Sequence, residues 1–135
     1  MLHILQLVYM SMKMIKEAMI LAVLNTKGGC GKTTISINLA HSFKNAGYDV
    51  LLVDSDVQQS TKDWGDTNKQ NIVDVLAVNA KLLKNEKKTL AQFIKEKFKK
   101  KNYDIVIIDG ASGVSLLMAP TIIIADLILI PVVPS

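Results

Sequence analysis

The chain has 135 residues, enough for one domain with a modest core; with half of them hydrophobic and 21% charged, it falls outside the composition of disordered chains. Net charge is +4 and all sixteen basic residues are lysine, so this chain has no arginine finger to offer a phosphoryl transfer. Its lone cysteine, Cys30, excludes an internal disulfide and Cys-rich metal or cluster sites, and points to a cytoplasmic setting.

Residues 1–18 open with an apolar, methionine-rich stretch, Met1 to Met12, followed by Lys13, Lys16 and Glu17. A signal peptide carries its positive charge ahead of the apolar stretch, and a spanning helix needs about 20 apolar residues; neither pattern is met. Two readings stand: an upstream start codon, with Met19 the natural start and 19–135 the N-terminal part of a domain, or a short amphipathic arm for a membrane or a partner. Met19 to Asn25 is a continuous apolar run ending in polar and glycine residues, the pattern of a strand buried on both faces. Thr33 to Ala46 has helical spacing, with Ile37, Leu39, Ala40 and Phe43 on the inner face, and Gly47 stands where a helix C-terminal glycine belongs.

Val50 to Val53 predicts a second buried strand running into Asp54, and the polar stretch from Val57 to Asn68, with Trp64 inside it, predicts a short helix. Ile72 to Val78 is expected to be a third strand. Residues 81–101 hold nine lysines; within them Thr89-Leu-Ala-Gln92 has capping-box spacing, so a helix is expected from Leu90 with Leu90, Phe93, Ile94 and Phe98 on one face. Tyr103 to Ile108 predicts a buried strand ending at Asp109. Helical residues around Leu116 to Ala125 then lead to a last strand, Leu127 to Ile130, closed by Pro131.

Strand and helix in alternation predict an α/β fold, a parallel sheet flanked by helices with its site at the C-terminal ends of the strands. A terminal strand of such a sheet normally has a helix after it, so a chain ending at Ser135 implies a fold incomplete at its C-terminus.

The chemistry concentrates in Lys27-Gly-Gly-Cys-Gly-Lys-Thr-Thr34, between the first strand and the first helix after it. Glycines at 28, 29 and 31 let the backbone wrap a phosphate with its N–H groups turned inward, and the helix N-terminus adds partial positive charge. Lys32 is placed to reach the outer phosphates and the Thr33 hydroxyl to ligate Mg²⁺. Cys30 and Thr34 complete the candidate nucleotide-binding set, Cys30 as a small residue at the variable position whose backbone N–H does the binding. The ordinary P-loop glycine is replaced by Thr26, with Lys27 and two glycines following it.

That loop resembles the deviant Walker A motif of the ParA/MinD superfamily of ATPases. Three further segments extend the resemblance: Asp54-Ser-Asp56-Val-Gln58, similar to the family's Asp-x-Asp-Pro-Gln with Val57 in place of proline; Ile107-Ile-Asp109-Gly-Ala111, of Walker B form; and Asp126-Leu-Ile-Leu-Ile-Pro131-Val-Val-Pro134. The last of these, with the Trp64 segment and the Asp109-Gly-Ala stretch, is most similar to the ParF-like branch of small plasmid-partition ATPases.

The resemblance implies ATP and Mg²⁺ as cofactors and ATP + H₂O → ADP + phosphate as the reaction. It assigns Lys27, Lys32 and Asp56 as catalytic: Lys27 completes the partner's site across an ATP-bound homodimer and Asp56 positions the water. It places Thr33, Asp54 and Asp109 around the metal. A centromere-binding partition protein and non-specific DNA are the implied partners, with no membrane, and the location is cytoplasmic or on the nucleoid. The alternatives are a weakly active nucleotide-binding or regulatory fragment, a remnant of a broken gene, a MinD-like positioning ATPase, or a small-molecule kinase of the same superfamily. MinD would carry a C-terminal membrane helix that this sequence lacks.

For the lysine-rich stretch, a solvated helix face competes with nucleic-acid contact, and without arginine or interleaved aromatics base-specific recognition is not expected. His3 and His41 lack partners at metal-ligand spacing.

Overall fold

The computed structural model describes residues 2–13, 18–25, 31–55, 73–110 and 115–132. Along the chain these form α1 (Leu2–Lys13), β1 (Met19–Val23), α2 (Lys32–Asn45), β2 (Val50–Asp54), β3 (Asp74–Ala77), α3 (Ala80–Glu86), α4 (Leu90–Phe98), β4 (Ile105–Asp109), α5 (Met118–Ile124) and β5 (Leu127–Leu129). The five strands make one sheet in the order β3-β2-β4-β1-β5, with every pairing parallel. The expected α/β class is therefore the observed one. The predicted helix at Val57–Asn68 lies outside the described residues.

Strand alternation divides the core into two layers. Met19, Leu21, Val23, Val50, Leu52, Ile105 and Ile107 pack with Leu39, Ala40 and Phe43 of α2 and with Leu5 of α1. Ala22, Leu51, Val53, Val106 and Ile108 face the other way, onto Leu83 of α3, Leu90 and Ile94 of α4, and Leu117. Both faces of the central strands are buried, which explains their unbroken apolar runs. No helix among the described residues is long and apolar enough to cross a membrane.

Local signals end and start the helices. Gly47 takes φ 98°, a left-handed conformation that favours glycine. Its N–H donates to Lys44 O and that of Tyr48 to Phe43 O, the paired bonds of a Schellman motif. The rings of Phe43 and Tyr48 meet edge to face with centroids 5.9 Å apart, supplying the apolar contact that accompanies this turn. At α4, Thr89 Oγ1 accepts from Gln92 N at 3.1 Å while Gln92 Oε1 accepts from Thr89 N at 2.9 Å, the expected capping box. The third strand is shorter than the Ile72–Val78 expected. Among the described residues it is an edge strand paired only with β2, and Asp74 at its start is exposed.

The N-terminal ends of β2, β3 and β4 are tied by polar groups. Asp49 N donates to Asp104 Oδ2 at 2.9 Å and Asp104 N to Asp49 O at 2.8 Å. Tyr103 Oη donates to Asp74 Oδ2 at 2.6 Å. Burial and the Asp74 carboxylate push the Tyr103 phenol above its ordinary range, because both disfavour phenolate. A raised folded-state value means that the contribution is whole below the unfolded tyrosine pKa near 10 and is lost as pH rises beyond it. Tyr103→Phe is accordingly expected to lower stability by about 1 kcal/mol at neutral pH and to flatten its decline above about pH 10. Urea unfolding across the alkaline range measures both effects.

Candidate functional site

The C-terminal end of the sheet carries the predicted chemistry. Gly31 caps α2 with φ 78°, and an added Cβ there meets nothing within 4 Å, so backbone conformation rather than space calls for glycine. A glycine cap brings no side-chain oxygen to the first N–H groups of α2, at the end of a helix that favours an anion. Lys32 and Thr33 are the first residues of α2, with Lys32 buried at 5% exposure and Thr34 turned to solvent.

Asp54 and Asp109 end β2 and β4, stand opposite each other in the parallel register, and are both fully buried. Strand alternation from Val50 and Leu52, and from Ile105 and Ile107, puts both on the face covered by α2. Three residues of α2 meet Asp109. Thr33 Oγ1 donates to Asp109 Oδ2 at 3.0 Å, Ser36 Oγ lies 3.3 Å from Oδ1, and Lys32 Nζ approaches Oδ1 to 3.9 Å, an ion pair too long for a hydrogen bond.

The backbone of Asp109 is held as well. Its carbonyl accepts from Ser55 N at 3.1 Å and from Ser55 Oγ at 2.9 Å, while Gly110 N donates to Val23 O at 3.0 Å. On the far side of β1, Asp126 Oδ2 accepts from Ile20 N, and Asn25 Nδ2 donates to Pro131 O at 2.6 Å. Asn25, where the glycine-rich segment begins, is thereby fastened to the end of β5. Of the expected site residues the structure brings together Lys32, Thr33 and Asp109, with Gly31 capping the same helix and Asp54 on the strand beside Asp109. Lys27, Gly28, Gly29, Cys30 and Asp56 lie outside the described residues.

The sequence reading did not single out Ser36 or Asn25, and it gave no role of their own to Ser55 and Gly110, which stand inside the Asp54–Gln58 and Ile107–Ala111 segments. Ser36 alone had a local signal: it is a polar residue on the buried stripe of α2, among Leu39, Ala40 and Phe43.

The donor set suits a hard divalent cation. Two fully buried carboxylates lie side by side with a threonine hydroxyl, all oxygen donors. Because Thr33 gives its proton to Asp109, the lone pairs of Oγ1 are left for a metal. No group of three or more His, Cys, Asp or Glu side chains forms a metal cage among the described residues. A cation here would thus complete its shell with phosphate oxygens and water, the usual manner of Mg²⁺.

Comparison with known proteins agrees with this geometry. Residues 21–120 match the CobQ/CobB/MinD/ParA nucleotide binding domain. The chain is 39% identical over 124 residues to the "Maintenance of carboxysome distribution protein A" of Halothiobacillus neapolitanus, covering 88% of this chain and 52% of that protein. In fold it is similar to cobyrinic acid a,c-diamide synthase from Mycobacterium smegmatis, solved with bound ADP and magnesium. That match has TM-score 0.68 and 21% identity, over 85% of this chain and 60% of the other. It is also similar to pNOB8 ParA bound to nonspecific DNA, with TM-score 0.60 and 18% identity, over 84% and 53% of the two chains. The chain spans about half the length of the curated relatives it matches. With residues 21–120, most of its length, matching the family, the chain belongs to the CobQ/CobB/MinD/ParA nucleotide binding domain family.

Proposed function

We propose that this chain binds Mg-ATP and hydrolyses it as a ParA-type positioning ATPase, driving the segregation of plasmid DNA through an ATP-dependent dimer. The observation that carries the reading is the meeting of Lys32 and Thr33, at the N-terminus of α2, with Asp109 at the tip of β4. Bound Mg²⁺ would screen the phosphate charge and hold the terminal phosphate in one orientation. Thr33, Asp54 and Asp109 would hold it, through the hydroxyl oxygen and the two carboxylates. The first N–H groups of α2 and the Lys32 ammonium take the phosphates, and Asp56 positions the water that attacks the terminal phosphorus. The P–O bond to ADP breaks as the bond to the water oxygen forms, releasing ADP and phosphate. Lys27 completes the neighbouring subunit's site, a role that fits a chain without arginine.

The ParF-like likeness of the strand and loop from Asp126 to Pro134 supports plasmid DNA as cargo, with a centromere-binding protein and non-specific DNA as partners. A second cargo has its own support: the 39% identity to a carboxysome distribution protein supports a carboxysome in place of a plasmid.

Turnover and solution mass of the full chain with Mg-ATP test the reading. Wild type is expected to dimerise with ATP and hydrolyse it. Asp56→Ala should lose turnover by roughly 100-fold yet keep the ATP-bound dimer. An ATP-independent mass and a rate equal to that of a Lys32→Ala control would refute it.

A further inference from the structure

The inner face of α2 carries one hydroxyl that the proposed chemistry does not use. Ser36 is fully buried, and its Oγ lies 2.9 Å from Lys32 O and 3.3 Å from Asp109 Oδ1. Both neighbours are acceptors, and a serine hydroxyl has a single proton to give. That proton is shared in a three-centre bond: the shorter arm is the back-bond that serines in helices commonly make to the carbonyl four residues earlier, and the longer arm reaches Asp109 Oδ1. The longer arm points to a second role, because the back-bond alone needs no carboxylate beside it.

Thr33 and Ser36 are three residues apart, and so lie on the same face of α2, one turn from each other. Thr33 takes Oδ2 of Asp109 and Ser36 faces Oδ1, so two hydroxyls of one helix bracket both oxygens of one carboxylate. The bracket fixes the rotation of the carboxylate about its own bond. It also keeps the Thr33 proton on Oδ2, which leaves the Thr33 lone pairs directed elsewhere. The backbone of Asp109 is already held by Ser55, so carboxylate rotation is the freedom that Ser36 removes.

We infer that Ser36 is a positioning residue for the cation site: its hydroxyl orients the Asp109 carboxylate and, through it, the Thr33 oxygen toward Mg²⁺. The inference rests on reading this end of the sheet as a Mg-nucleotide site. It makes a prediction distinct from that reading, because an orienting group acts on the part of affinity that Mg²⁺ adds and not on phosphate binding by the helix N-terminus.

The test compares ADP affinity with Mg²⁺ and with EDTA, by calorimetry on the full chain, for wild type, Ser36→Ala and Ser36→Thr, with urea unfolding alongside. In Ser36→Ala the Mg²⁺-dependent gain in affinity is expected to fall roughly tenfold, the size typical for groups that orient metal ligands, while affinity in EDTA stays at the wild-type value. Ser36→Thr, which keeps the hydroxyl, should retain the wild-type gain. Should the alanine variant fail to fold, Ser36→Cys fills the same space with a poorer donor and takes its place in the comparison.

An unchanged Mg²⁺ gain in the variant, or an equal loss with and without Mg²⁺, overturns the role for Ser36 and leaves the nucleotide site standing. A wild-type chain that binds ADP under neither condition overturns the nucleotide site, and this inference with it.

Discussion

Replacing Lys32 by alanine is expected to raise the dissociation constant for Mg-ATP by at least about 100-fold, equivalent to roughly 2.7 kcal/mol. The size follows from where the ammonium sits. Lys32 is only 5% exposed and lies 3.9 Å from a fully buried carboxylate oxygen. In such a place its attraction for a phosphate is little screened by solvent. The variant should also lose stability in the absence of nucleotide, because Asp109 is fully buried and Lys32 is a cation that the structure places beside it. Equilibrium binding and urea unfolding of the same preparation separate the two effects. A variant that binds Mg-ATP as tightly as wild type would show that the N-terminus of α2 holds the phosphates without its lysine.

The second large effect is expected one residue beyond Asp109. A Cβ built on Gly110 falls 2.4 Å from Leu24 Cδ2 and 3.1 Å from Val23 O. The first distance is impossible for two carbon atoms and the second is tight against backbone. Leu24 is itself buried at 6% exposure, so its side chain has little room to swing away. Gly110→Ala should therefore destabilise by about 1–3 kcal/mol through overpacking. Because Gly110 N donates to Val23 O at the tips of β1 and β4, the same strain should move Asp109 away from α2 and weaken Mg-nucleotide binding as well. Combining it with Leu24→Ala, which removes the clashing atom, should recover part of the loss. Strictly additive losses in that double mutant would place the cause elsewhere.

What could be foreseen from the sequence depended on whether a signal is local. The central strands were legible because strands buried on both faces need unbroken apolar runs, and Asp54 and Asp109 mark where those runs stop. The start of α4 was legible from Thr89 and Gln92, and the end of α2 from Gly47, since each of these motifs is complete within a few residues. Helix α3 escaped notice. It is seven residues long, its lysines merge with those that follow, and its one marker is Asn79, whose side chain accepts from Leu82 N at 2.8 Å. The support of Asp109 was beyond reach for another reason. Ser36 and Ser55 lie 73 and 54 positions from it in the chain, and the sheet order alone brings them together.

That order has a consequence for how the site comes into being. Strands β1 and β2 are emitted first by the ribosome, yet they are not neighbours; β4 lies between them and bonds to both. Until residues 105–109 have been synthesised, β1 and β2 have no shared partner, and Thr33 and Ser36 of α2 lack the Asp109 carboxylate that they meet. Helix α2 and Asp54 are thus made early but wait for Asp109, and a single late strand, inserted like a keystone, closes two loops of chain at once. Loop closure over such spans is the slow part of folding parallel sheets. Competence to bind nucleotide should therefore arrive in one step, at the moment the sheet acquires its middle strand.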